Sequence, residues 1–182
     1  GTYTLKETEN LQGETEIDVI ADIYMYPGFT ENRTHPDRIE YGTIKPDGSL
    51  VLKLYYSRNE YDLTVIAGDY ITAVTGSGKY KYEQEVEITA EKENLPGYTY
   101  TNFRWETLDA TIFENASETT TKVTVPAANT EIIASQERTI NEYTISYNLN
   151  DGIVEGTNPD KYTIESNDIT LNNPEKVGYT FA

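Results

Sequence analysis

A phrase that the chain uses twice limits its folding options more than any other feature. Asn59-Glu60-Tyr61-Asp62-Leu63-Thr64-Val65 returns about eighty residues later as Asn141-Glu142-Tyr143-Thr144-Ile145-Ser146-Tyr147. Each copy follows an apolar, strand-like run and opens a new one. Downstream, Pro96-Gly97-Tyr98-Thr99-Tyr100 is echoed by Val177-Gly178-Tyr179-Thr180-Phe181. Self-similarity at a fixed period marks an array of small units rather than one large core. The repeats divide the chain into residues 1–59, 60–138 and 139–182. A unit of about 60 residues buries only about 60% of the surface its unfolded chain exposes, so neighbours are expected to support one another. The last stretch is too short for a secure core of its own and reads as a truncated module whose missing strands follow.

Composition fits that picture. Hydrophobic residues make up 37% of the chain while sixteen tyrosines lift the aromatic share to 12%, which suits many small apolar clusters. A net charge of −17 argues against nucleic acid and against an anionic membrane surface as partners. The acid is dispersed over all three stretches, as on a solvated surface. The absence of cysteine removes thiol catalysis and disulfide stapling. No run approaches the length of a membrane span, and the first residues lack the blocks of a signal peptide.

Period-two alternation dominates the chain. In residues 1–59, Tyr41-Gly42-Thr43-Ile44 and Leu50-Val51-Leu52-Lys53-Leu54-Tyr55-Tyr56 flank Asp47-Gly48, which predicts a hairpin with Leu50, Leu52 and Leu54 on one face. Residues 14–23 carry Ile17, Ile20 and Ala21 at a spacing that favours a short helix or irregular chain over a strand. Residues 60–138 predict strands over 61–67, 70–75, 85–90, 98–106, 119–125 and 130–136, joined by turns at 76–78, 96–97 and 126–129, in an antiparallel unit. Val86 and Ile88 alternate with Glu85 and Glu87, giving that strand a dry and a wet face. Trp105, with Tyr98 and Phe103, is expected to anchor this core. In residues 139–182, strands are predicted at 143–149, 161–165 and 169–171 around an Asn150-Asp151-Gly152 turn.

These residues resemble a known group. Residues 143–152, the Asn158-Pro159 turn, Leu171-Asn172-Asn173-Pro174 and Gly178-Tyr179-Thr180-Phe181-Ala182 resemble the internalin-type B-repeat family of bacterial surface proteins. The family usually has glycine where Asp151 stands, and its Gly-Tyr-Thr-Phe motif leads into a Gly-Trp that this chain lacks. Residues 60–138 are similar to a divergent form of the repeat through Gly78-Lys79-Tyr80-Lys81-Tyr82, Val86-Glu87-Ile88-Thr89-Ala90 and Phe103-Arg104-Trp105. Residues 1–59 look like part of a mucin-binding-protein-like repeat, through Pro27-Gly28-Phe29-Thr30, Asp47-Gly48-Ser49-Leu50 and Tyr55-Tyr56-Ser57-Arg58-Asn59. The resemblance implies β-grasp-like or small antiparallel modules strung along a bacterial cell surface as spacers or adhesive units, and it carries no catalytic residue across.

The residues that could do chemistry are few. His35 is the sole histidine, which removes a His pair for zinc; a triad through Asp37 lacks any nucleophile-elbow sequence. Gly76-Ser77-Gly78-Lys79 misses the phosphate-loop pattern at Ala73 and Tyr80. The acids Glu83, Glu85, Glu87, Glu91 and Glu93 read as a solvated strand face, and Asn148, Asn150 and Asp151 lack EF-hand spacing for calcium. No cofactor or metal is expected. Tyr55, Tyr56, Tyr80 and Tyr82 come in adjacent or alternate pairs, the arrangement that could present rings to a sugar; packing across strands is the competing use.

The expectation is therefore a mainly β chain, with room for one short helix, of tandem modules set end to end. Its function is expected to be non-catalytic: an extracellular stalk or adhesive segment contacting a host glycoprotein, mucin or polysaccharide. The alternative is a carbohydrate-binding module of a larger secreted enzyme. Unpaired strand edges at a truncated module could also recruit a second copy.

Overall fold

The computed structural model describes residues 2–108 and 112–180, and among them the chain is strands and turns with no α-helix. In chain order the strands are β1 Asp18–Ile20, β2 Phe29–Glu31, β3 Tyr41–Thr43, β4 Tyr56–Arg58, β5 Glu60–Ala67, β6 Ile71–Thr75, β7 Gly78–Lys81, β8 Glu85–Lys92, β9 Tyr98–Glu106, β10 Thr120–Thr124, β11 Thr130–Ile140, β12 Tyr143–Thr144, β13 Ile153–Val154, β14 Lys161–Tyr162 and β15 Pro174–Glu175.

One sandwich contains the hydrophobic core. A four-stranded sheet in the order β7-β5-β11-β9 faces a three-stranded sheet in the order β10-β8-β6. Alternation explains which side each strand buries: Leu63 and Val65 of β5, Ile132 and Ala134 of β11 and Trp105 of β9 meet Val86, Ile88 and Ala90 of β8 and Val123 of β10. Glu85 and Glu87 stay exposed, so the dry and wet faces of β8 are as the sequence predicts. Trp105 is buried, its indole N–H donating to Glu118 O at 2.8 Å, with Phe103 edge-on at 5.8 Å. Tyr98 lies elsewhere, its ring 4.3 Å from the Arg138 guanidinium.

The sandwich departs from an all-antiparallel unit at its centre. Its first strand, β5, pairs in parallel with its last, β11, from Leu63 opposite Thr130 to Ala67 opposite Ala134. Strand β7 is not among the predicted strands: it begins at Gly78, inside the expected turn, and places Tyr80 opposite Tyr61. Where β9 meets β11 the register slips, so that Asn102 and Phe103 oppose Gln136 alone, a bulge with Asn102 at φ 53°. Gln136 is buried there and donates through Nε2 to Tyr70 O at 2.9 Å and Glu93 O at 3.1 Å.

The flanking segments have little interior. No helix forms in residues 14–23: the segment is irregular except for β1, which pairs with β3 and sets half-buried Val19 between exposed Asp18 and Ile20, a strand's alternation. The Asp47-Gly48 turn closes through Gly48 N to Lys45 O at 3.1 Å, but its arms join only at Ile39 and Lys53; β4 pairs with β2 instead. Leu50, Leu52 and Leu54 do share the half-buried side, and Leu50 rests on Gly42, where a side chain would collide with it. Beyond residue 140, no described residue is buried, and pairing is confined to β12 with β14 and β13 with β15. Strand β14 stops at Tyr162, residues 169–171 form no strand, and β15 lies further along than predicted. The first of these pairs repeats the β5–β7 register, Tyr143 opposite Tyr162 as Tyr61 is opposite Tyr80. Asn150 and Asp151 both take positive φ, 46° and 65°, in a turn closed by Gly152 N to Leu149 O at 2.8 Å. Asp151 thus holds a conformation that glycine adopts without strain.

A compact protein of this mass, 20.6 kDa, would expose about 8,900 Å². This chain exposes 13643 Å². Its segments are not wrapped around one another.

Candidate functional site at the joints

The contacts between the sandwich and its neighbours use the same sequence phrases that repeat. At the first joint, Gly28 (φ 79°) sits third in a turn closed by Phe29 N to Tyr26 O at 3.0 Å. Asn59 N donates to Gly28 O at 2.8 Å, and Thr30 Oγ1 donates to Asn59 Oδ1 at 2.6 Å. At the second, Gly97 (φ 83°) is bound by Asn141 N at 2.8 Å, and Thr99 Oγ1 donates to Asn141 Oδ1 at 2.6 Å. On each glycine lies a residue twenty-three positions beyond the asparagine: Tyr82 on Gly28 and Ile164 on Gly97. A Cβ at either glycine would collide with it. The next residue closes each contact, Glu83 taking Arg58 at 3.0 Å and Glu165 accepting from Tyr98 Oη at 2.5 Å. That hydrogen bond holds Tyr98 above the usual phenol range.

The first joint also contains a crevice of about 200 Å³ lined by Lys6, Pro27, Glu83 and the rings of Tyr26, Phe29, Tyr56 and Tyr82. Its rings meet at steep angles: Tyr26 on Tyr56 at 88° and Phe29 on Tyr82 at 86°. Tyr26 donates to Glu7, which with partial burial pushes its phenol up to about 12. Burial raises Tyr56 as well, and its sealed hydroxyl makes no hydrogen bond of normal geometry with the described residues.

The four tyrosines singled out in the sequence therefore go to three places. Tyr56 and Tyr82 share the crevice. Tyr55 is stacked face to face on His35 at 3.6 Å with Tyr3 edge-on at 5.2 Å. Tyr80 packs against the sandwich core and donates to Gly76 O at 3.1 Å. They form no shared flat platform. Nδ1 of His35 accepts the Asp37 backbone N–H at 3.2 Å, so Asp37 meets the ring through its backbone, not its carboxylate. Glu93, read as a solvated acid, accepts from Tyr100 at 2.7 Å and Arg138 at 3.1 Å. Near Asp151, the ammonium of Lys176 takes Asn150 O at 2.9 Å.

Sequence reasoning missed Tyr26 and Phe29, although Pro27-Gly28-Phe29-Thr30 is a third version of the Gly-aromatic-Thr echo and marks the joint. It also missed the ionic core of β2, where Arg38 reaches Glu31 at 2.5 Å and Glu40 at 2.7 Å with Glu31 almost fully covered. These two carboxylates hold Arg38 above its ordinary range, and the guanidinium holds Glu40 below its own.

Comparison with curated proteins and with solved structures gives no match. The central segment of the chain, residues 61–139, from β5 almost to the end of β11, matches the family model of the divergent InlB B-repeat domain.

Proposed function

We propose that this chain is a non-catalytic spacer from the repeat region of a bacterial cell-surface protein, placed outside the cell and holding distal parts away from the envelope. The observation that carries the reading is the excess surface: 13643 Å² where one compact body would expose about 8,900 Å². A sandwich with a core, flanked by coreless segments that attach at two equivalent joints, is how a linear array of small units is built. The match of residues 61–139 to a B-repeat domain supports the bacterial surface setting. On this reading residues 1–59 are a mucin-binding-protein-like repeat and residues 139–182 begin another B-repeat.

The crevice of Tyr26, Phe29, Tyr56 and Tyr82 favours a second reading, weak adhesion to a glycan or glycoprotein. Its rings are already engaged with one another, which leaves little flat surface for a sugar and keeps spacing as the primary role. A binding screen against mucin and polysaccharides tests the choice. The spacer reading expects no saturable binding that depends on the crevice; binding abolished by Tyr82→Ala would put adhesion in its place.

A further inference from the structure

We propose that the parallel pairing of β5 with β11 is a shear clamp that lets the central unit carry tension along the chain. The inference rests on the spacer reading, because only a segment held at both ends is loaded in this way. Tension enters the sandwich at Glu60, the start of β5, and leaves at Ile140, the end of β11. The two strands run in the same direction, so pulling the start of one and the end of the other slides them past each other along their length. In that geometry all the bonds of the ladder resist together, whereas strands peeled from one end break their bonds one at a time.

The ladder is longer than the paired strands. Asp62 N donates to Asn129 Oδ1 at 2.9 Å before it, and Gly68 N to Ala134 O at 2.8 Å and Gln136 N to Asp69 O at 3.0 Å extend it beyond Ala67. Leu63, Val65, Ile132 and Ala134 are buried along the same stretch, so sliding also drags apolar side chains through the core. The joints lie in line with the load: Asn59, held by Gly28 O, directly precedes β5, and Asn141, held by Gly97 O, directly follows β11.

The absence of cysteine lets introduced pairs define the pulling points in single-molecule force spectroscopy of the full chain. Glu60→Cys with Thr139→Cys loads the clamp in shear; Glu60→Cys with Ala128→Cys holds both strands at the same end and peels them apart. All three positions are exposed, so both variants retain the fold, which matching thermal unfolding curves check. The clamp predicts a rupture force several-fold higher for the first pair at equal pulling speed. Equal forces for the two pairs would overturn it. The spacer reading is tested separately, by the shape of the unloaded chain in solution.

Discussion

Replacing Gln136 by leucine isolates what the bulge of the sandwich contributes. The side chain is buried, and its Nε2 is shared between Tyr70 O and Glu93 O. Tyr70 O keeps a second partner, the Glu93 N–H at 2.9 Å, so it loses only the net worth of one hydrogen bond, about 0.5–1.5 kcal/mol. Glu93 O, on a half-buried residue, loses the partner that Gln136 supplies, at a cost of up to about 1–3 kcal/mol. Leucine fills nearly the same volume, so no cavity term adds, and its burial returns part of the loss. The expected destabilisation is about 2–3 kcal/mol, equivalent to a fall of roughly 10–20 °C in Tm for a domain of this size. Urea unfolding followed by the fluorescence of Trp105, the sole tryptophan and a buried one, reports this unit alone. Gln136→Ala should cost more than Gln136→Leu because it adds a cavity. A loss below about 0.5 kcal/mol for Gln136→Leu would refute the reasoning, since surface changes fall in that range.

Three further outcomes follow from the same geometry. Ile88→Ala, at a fully covered position of β8, should cost about 2–5 kcal/mol, while Ile153→Ala, 77% exposed on β13, should stay within about 0.5 kcal/mol by the same unfolding measurement. Gly28→Ala and Gly97→Ala each add left-handed strain of about 1–2 kcal/mol and a collision with Tyr82 or Ile164; NMR shifts should move at the affected joint, and the unfolding of the Trp105 core should stay put for Gly28→Ala but fall for Gly97→Ala, whose strain lies between β8 and β9. Tyr26 has a phenol pKa raised from 10.0 to about 12. The folded form holds its proton longer than the unfolded one, so this contribution to stability is complete below pH 10 and lost between pH 10 and about 12. Absorbance of tyrosinate should show a late phase at about 12, and Glu7→Gln should move that phase back toward 10.

The legible part of the fold was the sandwich, because its strands alternate cleanly and their glutamates mark the wet side. The parallel centre was not legible: strand direction is set by which partners meet in space, and β5 and β11 lie more than sixty residues apart in the chain. The hairpin at Asp47-Gly48 misled for a related reason. A turn fixes where two arms meet and not how far they zip, and here Tyr56–Arg58 gains more by pairing with Phe29–Glu31, next to the Glu31–Arg38 ion pair. Around Ile17 and Ile20 a few apolar residues fit both periods, so the reading of helix or irregular chain missed the three residues that pairing with β3 makes a strand, while the rest of residues 14–23 is irregular. At the joints, the repeats marked the contact residues, but the packing of the tyrosines was not legible. Tyrosine pairs looked like a sugar platform, while Tyr55 and Tyr82 pack on His35 and Gly28, twenty and fifty-four residues away, and Tyr80 turns back onto Gly76, four residues before it.

Small-angle X-ray scattering of the chain in dilute solution tests the spacer account most directly. A compact body of 182 residues has a radius of gyration of about 16 Å. The account predicts a value well above that, with a long tail in the distance distribution that persists on dilution. A value near 16 Å with a symmetric distribution would contradict it.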